Sequence, residues 1–283
     1  MATFFNQATL SYNDTIINSN ITTGEIQEVL AITKTAVLDT YTQGDEITYV
    51  INIRNTGTLP YNDLTITDDL GTYTSGTLTL TPLTYAADSA TYFINGVLQP
   101  APAVTAGPPL TISGISVPAG GVATVLYAAQ LNQFAPLNVG DTINNNAILS
   151  GGGITPISAT ETITAAEEAN LTITKSLNPT VVTENGQITY TFIIQNIGNT
   201  PVVATDNAII TDTFDPILSN LVVTFNGVTW TNPVNYTYNP ATGLFTTNPG
   251  QITVPAATFT QDPVTGAIII QPGVSTLIVT GTI

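Results

Sequence analysis

Residues 30–60 decide the fold. They read LAITKTAVLDTYTQGDEITYVINIRNTGTLP, and the chain repeats them without a gap at residues 171–201 as LTITKSLNPTVVTENGQITYTFIIQNIGNTP. A dozen of the thirty-one aligned positions are identical. Within the first copy Ile47, Tyr49 and Ile51 alternate with other residues, which is the period of a half-buried β-strand. Similarity of this extent indicates an internal repeat, each copy beginning with two strands.

The rest of the composition agrees with an all-β fold. The chain has 283 residues, with 22 glycines and 18 prolines, and is rich in Thr, Asn, Ile and Val. β-Branched residues fit a pleated surface, and Gly and Pro mark turns. No stretch has the pattern of a long helix. We therefore expect two tandem β-sandwiches, since the length allows two domains of ordinary size.

Charge and residue usage exclude several function classes. Only three residues are basic against nineteen acidic ones, and cysteine and histidine are absent. Such a chain repels the phosphate backbone, so we expect no nucleic acid partner, and no run of residues is long enough for membrane insertion. We find no phosphate-binding glycine loop, nucleophile–histidine pair or metal-ligand cluster. The sequence predicts neither an enzyme nor a protein with a cofactor or metal.

The N-terminal residues resemble the end of the first repeat. The segment NQATLS at residues 6–11 lies over NNAILS at residues 145–150, whereas the second repeat stops before the corresponding stretch. We therefore expect an N-terminal donor β-hairpin at residues 1–26, a first sandwich at 27–167 and a second sandwich at 168–283 that lacks its last strands. The residues predicted to contact the acceptor as a donor strand are Phe4, Asn6, Ala8, Leu10 and Tyr12.

Several motifs together resemble a known family. They are Leu-x-Ile-Thr-Lys, the segment GDEITY at residues 44–49, Asn-x-Gly, Thr-Asp at 67–68 and 211–212, and Asn-x-Ala at 145–147. The set is similar to the bacterial conserved surface repeat called domain of unknown function eleven. This resemblance implies Ig-like modules, a location on the outside of a bacterial cell or spore, and a structural or adhesive role. A repeat of that family carries its own Asn-x-Ala strand, and the second repeat here departs from this pattern.

An incomplete sandwich and a spare hairpin predict self-association. An open sheet edge is a template for strand addition, and an isolated hairpin is marginally stable. We expect the hairpin of one molecule to complete the second sandwich of the next, which gives a head-to-tail homopolymer. Two alternatives remain at this point: a truncated or disordered terminus, and closure within one chain. The short linkers at 27–29 and 166–170 argue against the second alternative.

Strand parity also places three polar residues on buried faces. Lys34 shares a face with Ile32, Asp68 with Ile66, and Asn145 with Ala147. Burial disfavours the charged forms of an amine and a carboxyl group, and a neutral amine beside a polarised carboxamide can attack it with loss of ammonia. The equivalent set in the second repeat is Lys175 and Asp212, with Asn6 supplied by a neighbouring molecule. These residues are candidates for autocatalytic Lys–Asn isopeptide bonds, as in Gram-positive surface adhesins; the alternative is a lysine that extends to water beside turn-forming Asp and Asn.

The predicted function is therefore structural. The sequence favours the subunit of an extracellular bacterial filament, similar to a pilus or appendage and assembled by donor-strand complementation. The competing interpretation is a monomeric cell-surface adhesin or stalk module that binds carbohydrate or protein through its variable loops. The sequence does not identify a host or surface receptor.

Overall fold

The computed structural model describes residues 2–26 and 28–283. The first residue of the predicted hairpin and the first of the linker after it, positions 1 and 27, lie outside the described residues. Strands dominate, and the described part of the chain has a single 3₁₀ turn, at Ala204–Asp206, and no α-helix. The prediction of an all-β fold is confirmed. None of the described helical segments is long and apolar enough to cross a bilayer.

The strands fall into three groups along the chain. The N-terminal group consists of β1 (Ala2–Asn6), β2 (Thr9–Tyr12), β3 (Thr15–Asn18) and β4 (Thr22–Ile26). The second group consists of β5 (Leu30–Ala36), β6 (Thr40–Tyr41), β7 (Glu46–Asn55), β8 (Tyr61–Asp68), β9 (Tyr73–Ser75), β10 (Leu78–Leu80), β11 (Leu83–Tyr85), β12 (Thr91–Ile94), β13 (Val97–Leu98), β14 (Ala103–Thr105), β15 (Leu110–Val117), β16 (Val122–Leu131), β17 (Thr142–Gly151) and β18 (Ile157–Ala165). The third group consists of β19 (Leu171–Asn178), β20 (Gln187–Asn196), β21 (Thr211–Thr213), β22 (Ser219–Phe225), β23 (Val228–Trp230), β24 (Tyr236–Asn239), β25 (Leu244–Thr247), β26 (Thr258–Gln261), β27 (Ile268–Gln271) and β28 (Gly273–Thr282).

The first sandwich consists of two 6-stranded sheets that enclose one hydrophobic core. One sheet has the order β13-β12-β16-β7-β5, with β11 also paired to β16, and the other has the order β14-β15-β8-β17-β18-β6. The alternation predicted for β7 is present, since Ile47, Tyr49 and Ile51 are fully buried. The hairpin of β17 and β18 has a central place: β17 pairs with β8 in its own sheet, and β18 lies against β5 of the facing sheet. This hairpin therefore holds the two sheets together over the core.

The Asn-Gly pairs turn the chain as their sequence predicts. Asn95 and Gly96 both have positive φ (48° and 80°) and connect β12 to β13. Asn226 and Gly227 do the same between β22 and β23. Tight turns of two residues need this left-handed backbone, which Gly and Asn tolerate best.

The second sandwich repeats one sheet of the first and only part of the other. Its sheet β19-β20-β28-β22-β23 has the order of β5-β7-β16-β12-β13, and Lys175 faces Phe192 as Lys34 faces Ile51. Within residues 2–26 and 28–283 the facing sheet contains three strands, β21, β25 and β24. Among the described residues no strand corresponds to β17 or β18. The described part of the second sandwich therefore has one full sheet and one partial sheet.

One strand of this partial sheet is shorter than its counterpart in the first sandwich. Residues 208–212 correspond to 64–68, which lie within β8, but β21 covers Thr211–Thr213 only, so residues 208–210 are not a strand. In the first sandwich β8 is hydrogen-bonded along both edges, by β15 and by β17. In the described chain β21 has a partner, β25, along one edge only. The missing second ladder accounts for the shorter strand.

Residues 2–26 form a hairpin that contributes to neither core. β1 pairs with β4, and β2 pairs with β3. Asn6 faces Thr22 in this hairpin, and Asn145 faces Glu161 in the first sandwich. Asn145 follows Asn6 by 139 positions, and Glu161 follows Thr22 by the same 139 positions. The pairing of β1 with β4 thus repeats that of β17 with β18. Beyond Asn6 the two hairpins differ, because residues 19–21 form a bulge opposite residues 7–8.

An arm from the second half of the chain contacts the first sandwich. The connection into β16 is a four-residue turn at 118–121, whereas the connection into β28 contains the β26–β27 arm at residues 258–271. Three side chains of this arm pack against the first core: Phe259, Ile268 and Ile270. The backbone N–H of Ile268 also donates to the carbonyl of Gln133 at 2.8 Å. The arm therefore braces the joint between the two sandwiches.

We expect the β17–β18 hairpin to contribute strongly to the stability of the first sandwich. Leu149 is fully buried, so Leu149→Ala should lower the free energy of unfolding by about 2–5 kcal/mol through lost burial and the cavity left behind. Ile148, the preceding residue, points outward and is 39% exposed, so Ile148→Ala should change it by less than about 1 kcal/mol. Chemical denaturation of both variants measures the difference. Equal losses would contradict the assigned parity of β17.

Candidate functional site

The first predicted triad lies together in the core of the first sandwich. β5 carries Lys34, β8 ends at Asp68 and β17 carries Asn145, and the alternation of each strand turns these side chains inward. Lys34 is 4% exposed, and both Asp68 and Asn145 are 0% exposed. Charged residues are rarely buried so completely unless they are paired. The three groups therefore form a closed polar cluster among apolar residues.

A tyrosine connects the members of this cluster. Lys34 Nζ donates to Asp68 Oδ2 at 2.7 Å, and Tyr127 Oη donates to the same oxygen at 2.6 Å. Asn145 Nδ2 in turn donates to Tyr127 Oη at 3.1 Å. The other carboxylate oxygen of Asp68 accepts the backbone N–H of Leu70 at 3.0 Å. The carboxylate thus contacts the amine and the tyrosine directly, and the tyrosine connects it to the carboxamide.

Burial controls the ionisation of the cluster. Desolvation lowers the pKa of Lys34, against the opposing attraction of Asp68. Desolvation likewise raises the pKa of Tyr127 and of Tyr49, so both hydroxyls stay protonated. In the described residues Asn145 Oδ1 and the Tyr49 hydroxyl have no hydrogen-bond partner. An unpartnered carbonyl oxygen in a dry site is costly and is free to accept a proton or hydrogen bond.

Sequence reasoning did not identify the two tyrosines as site residues. Their rings stack with centroids 5.4 Å apart, and Lys34 Nζ lies 4.8 Å from the centre of the Tyr49 ring. Tyr127 faces Tyr49 across the pairing of β16 with β7. Strand parity predicts that both tyrosines point into the core. It does not predict that the Tyr127 hydroxyl bridges an acid and an amide from two other strands.

The second predicted set is only partly assembled. Lys175 Nζ forms a hydrogen-bonded ion pair with Asp212, and it lies 4.5 Å from the centre of the Tyr190 ring. Unlike the first pair, these side chains are 39% and 18% exposed. Asn6, the third member of the set, lies on the N-terminal hairpin and is exposed. The predicted burial of Lys175 is therefore not found in the isolated chain, because no hairpin covers β19.

The predicted donor residues share one property. All are exposed in the isolated chain: Phe4, Asn6, Ala8, Leu10 and Tyr12. Four of them correspond to inward positions of β17, which are buried there: Ile143, Asn145, Ala147 and Leu149. Tyr12 corresponds to Gly151, which has φ +87° and where an added Cβ would lie 2.5 Å from the carbonyl oxygen of Asp63. Tyr12 therefore needs a different backbone path from that of Gly151.

The first cluster contains the groups needed to form an amide. An uncharged lysine amine is a nucleophile, and the carboxamide carbon of Asn145 is an electrophile. A carboxyl group bonded to the amine and connected to the carboxamide through Tyr127 can transfer protons. In the described part of the chain no group of three or more acidic residues could hold a metal ion. The chemistry that the arrangement allows is acyl transfer to lysine.

Comparisons with known proteins give distant structural similarities only. No family model matches the chain, and no curated protein matches it. One structure of the pilus backbone protein RrgB of Streptococcus pneumoniae is 12% identical with a TM-score of 0.35, over 86% of this chain and 55% of the chain in that structure. The major pilin BcpA of Bacillus cereus is 11% identical with a TM-score of 0.36, over 96% and 73%.

A fragment of the Streptococcus agalactiae pilin GBS80 is 13% identical with a TM-score of 0.37, over 87% of this chain and 91% of the fragment. The chain spans 41% of the full-length RrgB structure. At these identities and TM-scores the similarities do not establish a function.

We expect the Tyr127 hydroxyl to stabilise the cluster. Tyr127→Phe leaves the Asn145 amide without its acceptor and removes one donor to Asp68, which should cost about 1–3 kcal/mol of unfolding free energy. Tyr12→Phe is the matched control and should leave the unfolding of the first sandwich unchanged, because the hairpin that carries Tyr12 contributes to neither core. Chemical denaturation of both variants measures the cost. An unchanged midpoint for Tyr127→Phe would contradict the bridging role.

Proposed function

We propose that this chain is the structural subunit of an extracellular bacterial filament, assembled head to tail by donor-strand complementation and locked by Lys–Asn bonds. The observation that carries the proposal is the match between two hairpins. One hairpin, β17–β18, is built into the first sandwich, and the other, at residues 2–26, has the same pairing at its base but is bonded to no core. The extracellular location rests on the resemblance of the repeats to bacterial surface modules.

The N-terminal hairpin has the properties of a donor. Phe4 is 53% exposed and Leu10 is 62% exposed, whereas the corresponding Ile143 and Leu149 are buried. Burying such a side chain contributes about 1.5–3 kcal/mol each, so the exposed row represents a substantial driving force for docking. A hairpin without a covering layer is marginally stable in water. Docking into an open sandwich buries the exposed apolar side chains and gives the hairpin a covering layer.

The second sandwich has the properties of an acceptor. All residues of β19 are exposed, and Ile173 is 53% exposed, whereas the corresponding Ile32 packs against the first core. The edge of β21 that lies away from β25 has no strand partner in the described chain. If the hairpin docks as β17–β18 does, Ala8 pairs with Asp212, because Ala147 pairs with Asp68. The donor then covers both the open edge and the apolar face.

The proposed contact joins different surfaces of two molecules. A hairpin at one end of a molecule and a groove at the other form a heterologous contact, which extends into a filament when it does not close. Peptide recognition by strand addition gains affinity from the main-chain ladder and specificity from alternate side chains. Each second sandwich completed by a hairpin then has counterparts of β17 and β18, as the first sandwich does. The filament is a continuous array of equivalent sandwiches.

The first triad is proposed to lock the finished sandwich. Nucleophilic attack of Lys34 Nζ on the Asn145 carboxamide carbon forms one C–N bond, breaks the bond to Nδ2, and releases ammonia. The ammonium of Lys34 first transfers one proton to Asp68, which passes it to the carboxamide through the bridging Tyr127 hydroxyl. Nδ2 leaves with that proton and with one proton of Nζ, so that ammonium is the final product. No oxidant or cofactor is needed. The bond would tie β5 to β17, so that the two sheets cannot separate.

We expect filament formation to depend on the hairpin. Negative-stain electron microscopy of the full-length protein should show filaments, and a variant lacking residues 1–26 should remain monomeric because it has no donor. Leu10→Asp should also abolish filaments, since it would bury an unpaired charge in the acceptor. Thr9→Asp is the matched control and should still polymerise, because the corresponding Ile148 points outward.

Monomers from the full-length protein would overturn this proposal. The result would favour a monomeric surface module that binds carbohydrate or protein through its loops. Filaments from the variant lacking residues 1–26 would equally exclude the hairpin as the donor.

We expect the bond in the first sandwich to be visible in the intact mass. The variant lacking residues 1–26, which cannot cross-link through Asn6, should be lighter than its sequence mass by one ammonia. Adding Lys34→Met or Asn145→Ala should restore the full sequence mass. Intact-protein mass spectrometry after denaturation measures the loss. A full sequence mass for the parent protein would exclude the Lys34–Asn145 bond.

A further inference from the structure

The second sandwich contains two thirds of the cluster found in the first. Lys175 pairs with Asp212 as Lys34 pairs with Asp68. The lysines also contact equivalent rings, since Lys175 Nζ lies 4.5 Å from the Tyr190 ring centre and Lys34 Nζ lies 4.8 Å from that of Tyr49. Two separate parts of the chain thus hold an amine and a carboxylate in the same arrangement.

The two clusters differ in the carboxamide. In the first sandwich it comes from Asn145 on β17. The described part of the second sandwich has no counterpart of β17 and so offers no asparagine at this place. On the N-terminal hairpin Asn6 occupies the corresponding position, because Asn6 faces Thr22 as Asn145 faces Glu161. The missing group is therefore carried by the hairpin.

We propose that Lys175 and Asp212 are an incomplete reaction centre, which Asn6 of a second copy of this chain completes, so that subunits are joined by a Lys175–Asn6 amide bond formed only after docking. This inference rests on the proposed donor-strand assembly. It identifies the partner as a second copy and the chemistry as transamidation between chains. In the isolated chain Asn6 is exposed on the hairpin, and the pair of Lys175 and Asp212 has no carboxamide beside it.

The exposure of Lys175 before docking determines when the reaction can start. Lys175 and Asp212 are 39% and 18% exposed in the isolated chain, whereas the equivalent pair beneath β17–β18 is completely covered. A lysine attacks a carboxamide only through its uncharged amine. A docked hairpin excludes water from the pair, and desolvation favours the uncharged amine and acid. Docking thus delivers the electrophile and activates the nucleophile in one step.

The atoms of the reaction balance without an added reagent. The ammonium of Lys175 first transfers one proton to the Asp212 carboxylate. The neutral Nζ then attacks Cγ of Asn6, and Asp212 donates its proton to the carboxamide oxygen. A C–N bond forms between Nζ and Cγ. The bond from Cγ to Nδ2 breaks, and Nδ2 leaves as ammonia with the second proton of Nζ and the proton returned through Asp212, so that ammonium is the final product at neutral pH.

The second centre also lacks the bridging hydroxyl of the first. Tyr190 faces Val279 across the pairing of β20 with β28, where Tyr49 faces Tyr127 in the first sandwich. The Asn6 carboxamide would therefore contact Asp212 directly, without an intervening tyrosine. Phe214 supplies an apolar wall instead, with its ring centre 5.5 Å from Lys175 Nζ.

The test compares four full-length proteins: wild type, Lys175→Met, Asn6→Ala and Asn18→Ala. Asn18 is a matched control, because it is an exposed asparagine of the same hairpin that pairs with the outward-facing Thr9. Each sample is viewed by electron microscopy and then heated in detergent for electrophoresis. We expect wild type and Asn18→Ala to give a ladder of multiples of the subunit mass. Lys175→Met and Asn6→Ala should form filaments that dissociate completely to single subunits.

Mass spectrometry of peptides from the ladder should identify residues 6 and 175 joined with the loss of one ammonia. Wild-type filaments that dissociate to single subunits would overturn the cross-link and leave donor-strand assembly standing. A ladder that survives Lys175→Met would also overturn it, because the bond would then involve another residue. Absence of wild-type filaments would overturn both the assembly and the cross-link.

Discussion

The structure depends on one constraint, which is that a β-sheet with an apolar face and an open edge must be covered. In the first sandwich the β17–β18 hairpin meets this need, because it pairs with β8 and packs over β5. Lys34 lies beneath it, and its side chain is completely covered. In the second sandwich the same face is open and Lys175 is partly exposed. Burial, strand length and lysine exposure all follow from whether this one hairpin is present.

Much of this architecture could be predicted from the sequence alone, because the two copies of the repeat can be compared with each other position by position. The gapless match of residues 30–60 to 171–201 places Lys175 where Lys34 lies, and strand parity turns Lys34, Asp68 and Asn145 inward. The alternation rule works here because each strand has one buried face, so a residue's parity gives its direction. The register between hairpin and first repeat follows from the same rule.

Other features depend on contacts that no local pattern records. The Tyr127 hydroxyl joins groups from two other strands, and the position of each strand in the sandwich must be known before that contact can be foreseen. The shortened β21 is a second case, since residues 208–210 have strand-like sequence but no second ladder. The bulge at residues 19–21 is a third case. One extra residue in that strand leaves the alternation of the opposite strand, at residues 6–12, unchanged, so the pattern of that strand gives no sign of the bulge.

The β26–β27 arm has a mechanical consequence. It braces the joint between the two sandwiches of one chain through Phe259, Ile268 and Ile270, whereas the turn at 118–121 in the first sandwich is too short to reach a neighbour. In an array of such chains braced and unbraced joints therefore alternate. The persistence length of the fibre would be governed by the unbraced joints alone, and each subunit would behave as a rigid rod two sandwiches long.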